Sequence, residues 1–281
     1  MLWQGEIQTV TLLGAAMKPQ LFGYETYFLF WAVAAVLGTW SGMRLTRQAG
    51  FPAAKSFAAL CALSVAIFLG SKLQYVVEHA LFPADDPVPM GQNALGLLMW
   101  HGFRIPGGVL LSLLALPLIC KLVGLPALRF GDAVAPTVGI GVACIRVGCL
   151  LNGCCFGRVT TFPIAMTFPP GARVFEWQQD QGLLSATATH SLPVHPLQIY
   201  FGLLGVLMYS LGRRRQKHKR FDGDVVAHCT AVFFGGTFFL ELLRPEPFHL
   251  NLIVTFSVAA TALLITLRAR AAAPAAARVA S

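Results

Sequence analysis

The feature that most constrains this chain is a series of apolar runs, each about 20 residues long. A helix of that length crosses a hydrocarbon core of roughly 30 Å and satisfies its own backbone hydrogen bonds, which an open strand in lipid does not. Seven such runs can be read: Phe22–Met43, Ser56–Val77, Gly107–Val123, Asp132–Leu151, Pro196–Gly212, Asp224–Leu243 and Leu250–Leu267. The predicted fold class is all-α integral membrane, with about seven transmembrane helices and a small extracytoplasmic cap. Composition agrees: charged residues make up 12% of the chain, against about a quarter in a soluble domain.

The formal charge of +9 would suit nucleic acid if it formed a patch, but the basic residues sit in short connections between apolar runs. There they set orientation, and no nucleic-acid partner is expected. Alternate connections carry Arg44, Arg47 and Lys55, then Lys121 and Arg129, then the run 213–220, then Arg268, Arg270 and Arg278. The positive-inside rule assigns these to the cytoplasm and the N-terminus to the outside. Segments 78–106 and 152–195, rich in polar and turn-forming residues, become the outer cap. Within the first of these, Gly91–Trp100 is apolar but too short to span, and is expected to be interfacial or re-entrant. Residues 1–270 are expected to form one membrane domain, with 271–281 a frayed cytoplasmic tail. Met1–Lys18 lacks the pattern of a cleaved secretory signal, so the first helix is expected to direct insertion.

Cations inside apolar runs are costly unless paired or bound to an anion, which singles out Lys72, Arg146 and Arg244. Lys72 is a candidate ligand for a lipid headgroup or a snorkelling side chain. Arg146 is followed by a stretch containing Gly148 and Gly153, where backbone approaches a ligand closely. Arg244 has Glu241 and Glu246 as possible ion-pair partners. Two arginines at one depth suit a phosphodiester, whose oxygens accept forked hydrogen bonds.

Asp132-Ala133-Val134-Ala135-Pro136, then Gly139, Gly141 and the continuous segment Arg146 to Arg158, resemble the signature of a known family, the phosphatidylglycerol–prolipoprotein diacylglyceryl transferases. These are bacterial inner-membrane enzymes of seven helices. His195-Pro196-Leu197-Gln198-Ile199-Tyr200 is similar to that family's His-Pro-x-Gln-Leu-Tyr-Glu motif, and Glu241 through Glu246 resembles its late arginine motif. The likeness runs from about Tyr24 to Arg244. It implies that Arg146 and Arg244 hold the phosphate of phosphatidylglycerol while the diacylglyceryl group passes to a cysteine thiol of a lipoprotein precursor, releasing glycerol phosphate. Asn152, Gly153 and Gly157 would shape the site, with Tyr24, Gly107, Gly108, Gln198 and Tyr200 as further substrate contacts. No cofactor and no metal are implied.

The chain departs from that family's pattern at several chemically important positions. Pro106 stands where the family has the histidine of a His-Gly-Gly triplet, and proline neither accepts nor relays a proton. Cys149 and Cys154 replace an asparagine and a glutamate, and Phe201 replaces the closing glutamate of the His-Pro motif. His101 and His195 remain as candidate bases for the acceptor thiol, His195 alternatively orienting the chain at the helix start. Cys149, Cys154 and Cys155 suit a disulfide or small-residue packing; a metal would need a fourth ligand such as His190 or His195, and the spacing is not that of a zinc site. Cys61, Cys120, Cys144 and Cys229 behave as small hydrophobes within spans. The leading expectation is a diacylglyceryl transferase. The alternative is a non-enzymatic lipid-binding or lipid-moving protein that keeps the phosphate site without its base.

Overall fold

The computed structural model describes residues 20–21, 24–81, 102–245 and 249–279. Gly91–Trp100, His101 and Glu246 therefore lie outside the described residues. A short antiparallel pair, β1 (Gln20–Leu21) and β2 (Tyr24–Glu25), leads into α1 (Thr26–Gln48) and α2 (Ala53–Leu81). Next come α3 (Ile105–Val123), α4 (Ala127–Val134) and α5 (Thr137–Asn152). A short cap helix, α6 (Arg173–Asp180), precedes α7 (Leu197–Lys217), α8 (Asp224–Glu241) and α9 (His249–Val279).

Each of the seven apolar runs overlaps a helix, the first from Thr26 onward. Among the described residues, four helices are long and apolar enough to cross a membrane, or five when α4 and α5 count as one span bent by 43°. The bend falls at Ala135-Pro136, where proline removes a backbone donor and crowds the preceding turn. α7 ends in Arg213, Arg214, Arg215 and Lys217, and α8 is bounded by Asp224 and Glu241; neither is among those spans. α9 continues through the alanine-rich stretch to Val279, where a frayed tail was expected; alanine's helix propensity suffices to carry the helix on.

Helix order is set by close backbone approach at small residues, the usual device where lipid removes the hydrophobic drive between helices. A methyl group added to Gly139 in α5 would lie 2.3 Å from the Gly205 carbonyl oxygen in α7. One added to Gly70 in α2 would lie 2.5 Å from the Gly107 oxygen, and one on Gly108 would lie 2.2 Å from Ser71 Oγ. Gly107 and Gly108, predicted as substrate contacts, thus use their missing side chains to seat α3 on α2.

The basic connection between α7 and α8 is pinned by buried acids. Asp132 accepts hydrogen bonds from the backbone N–H groups of Gly223, Val225 and Val226 at the start of α8. It also meets Lys219 Nζ at 3.3 Å, while Arg215 pairs with buried Asp224 at 2.8 Å. At the opposite end, residues 153–196 form a cap with its own small core of Met166, Phe168, Ala172, Val174 and Val194. Gln178, fully buried, accepts from Leu192 N at 2.7 Å and so ties α6 to the returning strand-like segment.

Candidate active site

Arg146 lies two turns from the C-terminal end of α5 and is only 7% exposed. Its guanidinium stacks on the Phe201 ring at 4.2 Å, and its Nε has no hydrogen-bond partner among the described residues. Arg244 reaches the same cavity from the turn after α8, where its Nε donates to Glu241 Oε2 at 2.7 Å. The ion pair with Glu241 is therefore present, and Arg244 faces Arg146 as well. Both arginines line one cavity.

The cavity, small at about 20 Å3, lies among α1, α3, α5, α7, α8 and α9 and is lined by Tyr27, Arg104, Pro106, Cys149, Cys155, Thr237 and Asn251 besides the two arginines. Arg104 donates from Nε to buried Glu78 Oε2 at 2.7 Å, and Gln74 Nε2 donates to Asn251 Oδ1 at 3.1 Å, linking α2 to α9. Among the described residues, three guanidiniums thus face two carboxylates, Glu78 and Glu241, leaving one positive charge in excess beside Arg146. In so buried a place that charge calls for an anion. A second, apolar cavity of about 150 Å3 opens among α1 to α5 between Trp31, Leu63, Val109, Val138 and Val142, and Ile105 lines both.

The loop after α5 holds this wall in place. Gly153 caps α5 in the left-handed region (φ 63°), and its N–H bonds the Leu150 carbonyl at 3.1 Å. Gly157 donates to the His195 carbonyl at 2.9 Å, and Arg158 N donates to Leu243 O at 2.8 Å. A side chain at Gly157 would meet the Leu243 oxygen at 3.0 Å. The signature loop therefore positions the backbone immediately before Arg244. Gln198, 1% exposed, donates from Nε2 to Cys154 O at 2.7 Å and locks the cysteine turn.

The other expected residues fall elsewhere. His195 does not line the arginine cavity; its Nδ1 lies 3.4 Å from Tyr200 OH, beside Phe162. Burial, and secondarily the Arg158 cation, hold its imidazole below the ordinary histidine value. Lys72 Nζ sits 5.3 Å from the ring centres of both Tyr75 and Phe103, outside the cavity lining. Asn152 ends α5 and is half-buried. Tyr24 is in β2, and its side chain lies outside the described part; the tyrosine that lines the cavity is Tyr27. Tyr27, Glu78, Arg104 and Asn251 escaped the sequence reading. The charges among them carry the signal that flagged Lys72, ionisable groups at the edge of an apolar run.

The Sγ atoms of Cys149, Cys154 and Cys155 all lie within 4.8 Å of one another, as free thiols. Cys149 and Cys155 line the cavity, while the Cys154 thiol donates to the Cys149 carbonyl at 3.7 Å.

Residues 16–272 match the family described as LGT, prolipoprotein diacylglyceryl transferase. The phosphatidylglycerol–prolipoprotein diacylglyceryl transferase of Wolbachia pipientis wMel is 30% identical over 252 residues, covering 84% of this chain and 85% of its own length. A Clostridium perfringens protein of the same name, numbered 2, is 24% identical over 234 residues, covering 81% of this chain and 82% of its own length. The Clostridium tetani protein of that name is 28% identical over 181 residues, 64% of each chain.

Proposed function

Because this chain belongs to the prolipoprotein diacylglyceryl transferase family, we propose that it moves the diacylglyceryl group of phosphatidylglycerol to a cysteine thiol of a lipoprotein precursor in the bacterial inner membrane. The observation that carries this reading is the convergence of Arg146 and Arg244 in one buried cavity with a positive charge in excess. The phosphodiester of the donor lipid supplies the missing anion, held by forked hydrogen bonds. The adjoining apolar cavity suits its acyl chains, since Ile105 lines both spaces.

The acceptor sulfur attacks the glycerol carbon next to the phosphate, and negative charge builds on the departing glycerol phosphate. Guanidiniums fixed before the reaction stabilise that charge without reorganising. Glu241 supports the chemistry indirectly, by fixing the Arg244 fork at 2.7 Å. Arg104, set by Glu78, adds a third cation to the rim. Lys72, His195, Gln198 and Tyr200 are then supporting residues around the cap, with Gln198 shaping the cysteine turn. The basic end of the bundle, with Arg213 to Arg220, faces the cytoplasm in this reading; the cap faces outward, and residues 1–270 act as one membrane domain.

Complementation of a bacterial strain depleted of its own diacylglyceryl transferase tests the proposal. Wild-type protein rescues growth, and Arg146→Ala and Arg244→Ala, expressed in the membrane at equal level, do not. Well-expressed wild type that fails to rescue sinks the lipoprotein acceptor.

A further inference from the structure

Deprotonation of the acceptor thiol has no histidine available in the arginine cavity among the described residues, because Pro106 lines it and His195 turns toward Tyr200. The group that does face the two guanidiniums is a thiol. Cys155 lines the cavity, lies against Arg146 and Arg244, and has the sulfur atoms of Cys149 and Cys154 within 4.8 Å of its own. It is also the one described non-glycine residue with positive φ, 60°, in a turn locked by Gln198 on the Cys154 carbonyl. That conformation costs free energy and persists because the surrounding contacts over-determine it, which is characteristic of functional positions. The second, independent sign of a ligand is Arg146, 7% exposed, with an Nε that no described residue satisfies.

We propose that Cys155 is the catalytic base of the transfer, in the place the family histidine would serve, and this rests on the transferase reading above. The adjacent Cys149 thiol and the two cations hold Cys155 as thiolate, the form that accepts a proton. The thiolate takes the S–H proton of the acceptor cysteine. The freed sulfur attacks the glycerol carbon bonded to the phosphate oxygen; a C–S bond forms and the C–O bond breaks. The electron pair leaves with glycerol phosphate, which Arg146 and Arg244 hold. The proton then passes from Cys155 to that phosphate or to water, and the thiolate is restored with no oxidant or reductant consumed. Cys149 and Cys154 act as positioning residues: their thiols orient and stabilise the Cys155 sulfur and do not meet the acceptor.

The test uses the full chain in phosphatidylglycerol-containing nanodiscs, with a cysteine-bearing signal segment of a lipoprotein precursor as acceptor. Cys155→Ser and Cys155→Ala lower kcat by about 10²–10⁴-fold, with the KM for phosphatidylglycerol within a few-fold of wild type. Cys61→Ser, at an exposed cysteine away from the cavity, retains the rate. The acid limb of the wild-type pH profile disappears in Cys155→Ser; the charged and titratable groups facing that sulfur are Arg146, Cys149, Cys154, Arg244, Glu241 behind Arg244, and Tyr27. Independently of activity, iodoacetamide at pH 7 alkylates Cys155 of the wild-type protein faster than Cys149 or Cys154, and Arg146→Gln slows this. Cys155→Ala transferring within tenfold of wild type, or Cys155 alkylating no faster than its neighbours, overturns the base. Wild type that binds phosphatidylglycerol but never modifies the acceptor overturns the transferase reading and the base with it.

Discussion

At the scale of single residues, Arg146 and Arg244 have the same chemistry and different neighbours. Arg244 carries its counter-charge with it, since Glu241 lies one turn earlier and is 2% exposed. Removing one partner of such a buried pair leaves the other uncompensated, so Glu241→Ala is expected to destabilise by about 3–5 kcal/mol. The exposed Arg214→Ala is expected to stay within about 0.5 kcal/mol. Denaturant titration in detergent compares the two. His195 gives a pH prediction with a definite sign. Its folded value lies below the ordinary 6.5, so the unfolded chain binds more protons. Its contribution to stability is complete above about 6.5 and is lost as pH falls from there through the folded value. NMR of ring-labelled histidine should give a midpoint below 6.5, and Arg158→Gln should raise it by removing the nearby cation.

Pairs of helices are held by different means at their centres and their ends. The α5–α7 crossing depends on backbone contact at Gly139 and Gly205, where no methyl group fits. Gly139→Val should therefore separate two helices that position Arg146 and Phe201, with a cost of about 1–3 kcal/mol or more. Gly141→Ala, two residues away, meets nothing within 4 Å and should be neutral or slightly stabilising through helix propensity. Thermal unfolding of the two variants separates packing from propensity. The element ends are fixed by polar contacts: Asp132 on the N-terminus of α8, and Arg158 N on the Leu243 carbonyl before Arg244. The site residues of α5 and of the turn after α8 are thereby held together across nearly a hundred residues of chain.

For the whole molecule, a basic end and a cap end lie at opposite sides of the apolar bundle. With all seven native cysteines replaced by Ala or Ser, a cysteine introduced at exposed Thr187 should react with an impermeant maleimide in cells whose outer membrane has been permeabilised. One introduced at exposed Lys217 should react only after lysis; the reverse pattern would invert the proposed orientation. The helices were legible because a span's apolarity is local: each run satisfies its own backbone, whatever its neighbours. Arg146 and Arg244 stood out for a related reason, since the cost of a cation in lipid depends on the residue and its depth. Which groups share the cavity was not legible. Gln74 meets Asn251 across 177 positions and Glu78 meets Arg104 across 26, and a one-residue rotation of either helix would break these contacts. Likewise, only packing decided that His195 turns to Tyr200 while Cys155 faces two guanidiniums. The sequence by itself determined a helical membrane bundle with buried cations awaiting an anion, because those follow from the solvation of each residue. The tertiary structure alone decided which side chains answer those cations, because that depends on helix rotation and crossing set by contacts far apart in the chain.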